Sequence, residues 1–382
     1  MGQLDHWNAV LESRKLKKKP VGVKIAGREI VLFRTEAGRV GALDDVCIHR
    51  RMRLSCGHVE GACVVCPYHG WKFTADGFGT SPGTPRMHGE ATTFDVREAY
   101  GIVWVKAAGV DAEFPDFALP GFYHLTSDTF TAEAPIELVI DNFCELEHSG
   151  TTHVLFGYDL ERMHEMTFDV RSDDEATYCR TVGPHKPIAW FQRTVFGLGK
   201  EVTFTSNWTT RFSPVQTIAD HTLSDARTGR PGRLQWRVGE FYTPIDDGRT
   251  LVTIIVFTKS SFPGKYGGVR LFKPVFKRLA NSEIERDIAM LANIADKDPR
   301  LEGMRLSRFD KVHALNRERL NRIYRGLEPA HPWFTRRSCR ARWRYRFWKS
   351  SRPLRAACGY FPRSPARSRP VRRRCRESGG PA

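Results

Sequence analysis

The chain has 382 residues, a formal net charge of +17 and 41% hydrophobic residues, enough for two domains, each with its own core. Its longest apolar run, eight residues from Leu251 to Thr258, excludes a membrane-spanning helix, which needs ~20. The charge is equally selective: sixteen Lys/Arg and one acid lie from Arg336 onward, while the preceding 335 residues hold 44 basic and 42 acidic side chains. A nearly neutral body with a basic tail argues against nucleic acid as the partner.

In chain order, residues 1–19 are expected to form an N-terminal helix that ends in a basic cluster before Pro20. No long apolar block follows the start, so a secretory leader is not expected. Nine cysteines, an odd number, then predict free thiols or metal ligands in the reducing cytoplasm. Residues 20–110 are short alternating runs punctuated by Gly and Asp-Gly turns, which predicts a small antiparallel β domain. A Pro-containing stretch, 111–130, is expected to be a connector. Residues 131–330 mix helical periodicity with long strand-like segments, predicting an α+β domain. The Arg-rich 331–382 shows no periodicity: either a disordered arm or a non-native C-terminus.

Two Cys/His pairs stand out, Cys47-x-His49 and Cys66-x-x-His69. Two thiolates and two imidazoles suit a tetrahedral zinc, and the spacing alone leaves that open beside an iron–sulfur centre. Their place at the tips of hairpin-like segments favours the cluster, because turn N–H groups can point at sulfur. Further on, "DNFCELEHSGTTH" carries Asn142, Glu145, His148 and His153. On one continuous helix the two imidazoles would stand ~140° apart, so a break at Ser149-Gly150 is expected to let them converge. Two histidines with one carboxylate form the open face on which ferrous iron activates oxygen.

"CIHRRMRLSCGHVEGACVVCPYHGWKF" together with Asn142-x-x-Glu145-x-x-His148-x-x-x-x-His153 resembles the Rieske non-haem iron ring-hydroxylating oxygenases. The resemblance implies an all-β Rieske domain followed by a helix-grip catalytic domain, a curved antiparallel sheet with helices. It implies that Cys47 and Cys66 hold one iron of a two-iron, two-sulfur cluster and His49 and His69 the other. His148, His153 and Asp287, in "SEIERDIAML", would hold a mononuclear Fe(II), with Glu283 and Glu285 the nearby alternatives to Asp287. Glu145 would bridge a cluster histidine of one subunit to His148 of the next, where the family usually has aspartate. Asn142 would hydrogen-bond near the iron or cap the helix.

Respiratory Rieske proteins carry an extra cysteine in each loop, where this chain has Met52 and Tyr68; Cys56 and Cys63 are expected to be small buried side chains. His164 and His185 are expected to be structural or exposed, and Cys144 and Cys179 to lie in the core. Trp190, Phe191, Trp208, Trp236 and Phe241 are candidates to line a cavity, with plain strand packing as the alternative. The implied function is the terminal oxygenase that hydroxylates or demethylates a small apolar, aromatic substrate. No nucleotide-binding glycine fingerprint appears in strand–helix context, so NAD(P)H electrons would come from a separate reductase, with or without a ferredoxin. Family likeness implies a homotrimer. The rival readings are a Rieske-type electron carrier without oxygenase activity, a zinc module and a tail-borne nucleic-acid binder.

Overall fold

The computed structural model describes residues 2–262 and 272–327; the Arg-rich tail and Cys339, Cys358 and Cys375 lie outside the described residues. The first half is built from short strands: β1 (Asn8–Glu12), β2 (Val21–Ile25), β3 (Arg28–Arg34), β4 (Val40–Asp44), β5 (His58–Glu60), β6 (Cys63–Val65), β7 (Lys72–Thr74), β8 (Phe78–Thr80), β9 (His88–Glu90), β10 (Phe94–Ala99) and β11 (Ile102–Ala107). They make three antiparallel sheets, β1-β11-β10, β2-β3-β4 and the meander β5 to β9.

The expected N-terminal helix is a strand. Asn8 to Glu12 pairs with Ile102 to Val105, because its two faces meet two different cores. Val10 packs with Leu16, Ile25 and Val103, while Trp7 and Ala9 pack with Trp104, Phe241 and Ile255. A two-sided apolar demand outweighs local helix preference. The β domain therefore begins before residue 20.

The second half contains β12 (Tyr123–Ala132), α1 (Ile136–Phe143), β13 (Thr167–Ser172), β14 (Ala176–Pro184), α2 (Trp190–Phe196), β15 (Val202–Phe212), β16 (Val215–Asp225), β17 (Pro231–Asp246), β18 (Arg249–Ser260), α3 (Lys273–Ala292) and α4 (His313–Arg319). The seven strands form one antiparallel sheet in the order β12-β18-β17-β16-β15-β14-β13. β12 occupies residues expected to be connector: Tyr123 to Ala132 pairs along Thr250 to Thr258, so the linking segment shortens to 111–122.

The architecture is α+β with a helix-grip second domain. Ile254 and Val256 of β18 join a core with Leu138, Val139 and Ile140 of α1 and Leu291 of α3. The alternate residues, Ile255 and Phe257, pack with Trp7, Trp104 and Phe117 on the other side. A strand buried on both faces reads as an unbroken apolar run, which is why Leu251–Thr258 does not alternate. Backbone bonds reinforce this join, Ala26 N–H to Pro244 O at 2.6 Å and Gly27 N–H to Ile245 O at 2.8 Å. The π-helical turn Leu320–Tyr324 returns to β1, where the Tyr324 hydroxyl donates to Asn8 Oδ1 at 2.9 Å.

Candidate functional site: two groups of metal-ligand side chains

The Cys47 and Cys66 loops are built alike. The N–H of each cysteine donates to the carbonyl five residues on (Met52, Trp71), and its carbonyl accepts from the N–H four residues on (Arg51, Gly70). The fourth residue is left-handed in both loops, φ 57° at Arg51 and 71° at Gly70. Glycine meets that conformation freely, whereas an arginine is held there only by its surroundings.

Both sulfurs sit in a core with Leu54, Val64, Trp71 and Phe73, while His49 and His69 are exposed. The imidazoles lie edge to face, centroids 4.6 Å apart, with Trp71 stacked on His49 at 5.7 Å. Burial pushes the Cys47 thiol up to about 11, although the N–H groups of His49 and Arg50 are directed at its sulfur and favour the thiolate. A buried thiolate needs such donors or a metal. Two sheltered sulfurs and two outward nitrogens are the donor set of a mixed-ligand iron–sulfur cluster. Met52 packs against this core and Tyr68 is exposed. Cys63 is half-buried, but Cys56 is exposed rather than the buried residue expected, because it closes a 3-10 turn (Leu54–Cys56) whose buried member is Leu54.

α1 ends at Phe143, earlier than the helical texture suggests. Glu145 explains the stop: its Oε2 accepts the N–H groups of Glu147 (2.5 Å) and His148 (3.3 Å), capping a new turn. His148 opens a 3-10 turn, His148–Gly150, and the loop beyond it carries His153. The rings come to 5.1 Å between centroids, so convergence follows from the early helix end and the tight turn together. Gly157, at φ 130°, makes room here, since a Cβ would stand 2.2 Å from the Ser149 carbonyl oxygen.

Glu283, Asp287 and Leu291 are the buried positions of α3, four residues apart and so on one face. The Asp287 Oδ1 lies 2.9 Å from His153 Nε2 and 3.3 Å from His148 Nε2. One ligand atom from each of the three residues lies within 4.8 Å of the others. Two donors ~2.1 Å from a common ion at right angles stand ~3 Å apart, so the group fits a divalent cation.

Each histidine has a second carboxylate behind it. Glu145 Oε1 is 2.5 Å from His148 Nδ1, and Glu283 Oε2 is 3.8 Å from His153 Nδ1. Burial opposes charge on His148, but Asp287 and Glu145 outweigh it and hold the imidazole up at about 10. Burial likewise opposes the Asp287 carboxylate, and the two histidines hold it down at about 2. Charged partners buried this well are the groups a cation can replace a proton among.

Two residues that the sequence did not single out for this role hold the histidine loop. Glu283 accepts the N–H groups of Val154 (3.1 Å) and Leu155 (3.3 Å). Lys186 Nζ donates to the carbonyls of Ser149 (3.1 Å) and His153. The paired acids at 283 and 287, one helical turn apart, were the legible sign; Lys186 left none. Glu285 is exposed and Asn142 lies in the last turn of α1, so neither is placed to act as the alternative ligand or the N-cap. The Asn142 Nδ2 is buried without a hydrogen-bond partner.

His148, His153 and Asp287 line a cavity of about 470 Å³ walled by β16, β17, β18, α2 and α3. Trp236 is among its walls. Trp190 and Phe191 are exposed instead, and Trp208 and Phe241 belong to the cores on the two sides of the sheet. His164 is exposed and His185 is buried, bonded to the Lys186 carbonyl at 2.6 Å. Cys144 and Cys179 lie in the helix-side core. No helix among the described residues is long and apolar enough to cross a membrane.

Residues 6–94 match the family model described as the Rieske [2Fe-2S] domain. The chain is 37% identical over 160 residues to chlorophyllide a oxygenase of Chlamydomonas reinhardtii, covering 40% of this chain and 25% of that protein. It is 30% identical over 164 residues to the vanillate O-demethylase oxygenase subunit of Pseudomonas sp. strain HR199, covering 38% and 44%. The matched stretch thus spans a quarter to under half of these relatives. Dicamba monooxygenase has the same fold, with a TM-score of 0.68 at 16% identity over 84% of this chain and 96% of that one. So has NdmA of Pseudomonas putida CBB5, in a structure with caffeine, at 0.62 and 20% over 84% and 90%.

Proposed function

We propose that this chain, a member of the Rieske non-haem iron oxygenases, is the terminal component that hydroxylates or demethylates a small apolar, aromatic substrate. One observation carries the reading: a two-thiol, two-imidazole loop pair and a two-histidine, one-carboxylate group on a cavity wall occur within one compact unit. Cys47, Cys66, His49 and His69 would hold the cluster, and His148, His153 and Asp287 ferrous iron. When bound, these centres supply single electrons and the activation of O2.

The chain's own residues do the rest. Glu145 fixes the His148 imidazole from behind, and Glu283 holds the His153 loop through the N–H groups of Val154 and Leu155, so that each Nε2 faces the shared Asp287 oxygen. The apolar walls exclude water and orient the substrate. The cluster's exposed histidines lie beside exposed Ile48 and Tyr68. That rim suits docking on the Glu145 side of a second copy in a homotrimer, with electrons supplied by an NAD(P)H-dependent reductase, directly or through a ferredoxin. A cytoplasmic setting goes with this reading.

The test is His153→Ala. It should keep the red-brown absorption and the cluster iron while abolishing substrate-dependent O2 uptake and product. Surviving turnover would overturn the assignment. A wild-type protein that binds no iron beyond its cluster, even after anaerobic reconstitution, would be the electron carrier instead.

A further inference from the structure

We propose that the cavity selects an uncharged molecule, an apolar body with one hydrogen-bonding substituent held by His221, and discriminates against aromatic carboxylates. The inference deepens the oxygenase reading and rests on it only in calling the ligand a substrate.

Charge comes first. Among the described residues lining the cavity there is no Lys or Arg, whereas Glu283 and Asp287 line it, beside Glu240, whose carboxyl burial pushes up to about 8. Most of the basic residues adjoining the lining in sequence are already engaged: Lys186 with the carbonyls of Ser149 and His153, Arg193 with Gly199, Arg233 with Val195, Arg237 with Asp220, Lys277 with Asp128 and Arg286 beside Glu283, while Lys259 and Arg278 are exposed. A ferrous ion would not reverse this balance, since its two charges are already answered by Asp287 with Glu145 and Glu283. An anion entering here would lose its hydration with no Lys or Arg among the described lining residues to pair with.

Among the described lining residues outside the metal group, His221 is the one that could have carried positive charge, and burial pushes its imidazole down to about 4. It packs against Phe204 at 5.6 Å (26°) and Trp236 at 6.4 Å, and its neighbour Asp220 is taken by Arg237 at 2.6–2.7 Å. No hydrogen bond joins either ring nitrogen to another described residue; Nδ1 is buried without a partner, and Nε2 is the nitrogen left accessible to a ligand. Around it the sheet presents Leu223, Leu234, Val238, Ile254 and Val256. A neutral imidazole in an apolar wall can donate or accept one hydrogen bond to a ligand, and an unpaired polar site disfavours ligands that lack the matching group.

The experiment is calorimetric titration of the full-length, cluster-loaded protein at pH 7 with three probes, 2-naphthamide, 2-naphthoate and naphthalene. Naphthamide should bind at least tenfold more tightly than naphthoate and at least fivefold more tightly than naphthalene. His221→Phe should remove the amide's advantage over naphthalene, His221→Gln should restore part of it, and Gln192→Arg should raise naphthoate affinity. Cluster absorption and melting temperature certify the fold of each variant. Naphthoate binding as tightly as naphthamide, an unchanged amide advantage in His221→Phe, or no binding of any probe to 1 mM overturns the inference. Binding needs neither electrons nor O2, so the charge preference is measurable even if the oxygen chemistry fails.

Discussion

Glu283→Gln isolates the electrostatic part of the histidine loop. The side chain is 6% exposed, so solvent offers little screening. Its oxygens accept from Val154 and Leu155 and lie 3.8 Å from His153 Nδ1. Glutamine keeps the volume but must turn an NH2 toward either the two N–H donors or the imidazole. A hydrogen bond to a charged group contributes about 1.5–3 kcal/mol. Losing the carboxylate behind a ligating histidine lowers metal affinity about 10–100-fold, or roughly 1.4–2.7 kcal/mol. The expected outcome is therefore a 10–100-fold weaker mononuclear Fe(II) site beside an unchanged cluster. The assay is an anaerobic Fe(II) titration against a competing chelator, with cluster absorption as the internal control. Lys186→Met, which frees the Ser149 and His153 carbonyls, should fall in the same range, and the double variant should cost less than the two singles multiplied, because both act on one loop. An affinity within threefold of wild type in Glu283→Gln would refute the reasoning.

Three other outcomes follow from the same geometry. His69→Ala should abolish the Rieske absorption while leaving one iron per chain at the second site, checked by iron analysis. Glu145→Gln should retain both metals yet slow reoxidation of the reduced cluster by substrate and O2 in rapid-mixing absorbance, since it removes the carboxylate 2.5 Å from His148 Nδ1. Gly157→Ala should lower stability by about 1–3 kcal/mol in a denaturant titration, the cost of a left-handed alanine, because its Cβ would also meet the Ser149 carbonyl at 2.2 Å.

What the sequence discloses is what short spacing decides. The cluster loops were legible because each places its cysteine and histidine within one tight turn, closed by hydrogen bonds four and five residues long. Asp287, 134 residues from His153, came into view only through resemblance, since an acid on a helix has many solvated precedents. The strand at Asn8–Glu12 was not legible because its partner, Ile102–Val105, lies some ninety residues on. The end of α1 was hidden as well. "ELVIDNFCELE" continues a helical texture, and only the Glu145 side chain taking the next N–H groups reveals the stop. Glu240 and His221 did carry a sign. His221 stands two residues from Ala219 and Leu223, and Glu240 two residues from Val238 and Tyr242, so each interrupts an apolar face of its strand.

The two halves of the chain share a wall. In β18, Ile254 and Val256 border the cavity while Ile255 and Phe257 pack with Trp104 of the cluster-bearing half. Side chains on opposite faces of one strand cannot shift independently, because a displaced backbone carries both sets with it. The strand's neighbours are fixed too: β17 bonds through Pro244 and Ile245 to Ala26 and Gly27, and the Thr243 hydroxyl donates to the Ala9 carbonyl at 3.0 Å. Cavity shape and the seating of the cluster-bearing half are therefore set by the same backbone. The protein can vary its ligand through the tips of cavity-facing side chains such as His221, Trp236 and Val238 without disturbing that seating. A change in strand register would disturb both at once, which is a physical reason for specificity to reside in side chains rather than in the sheet.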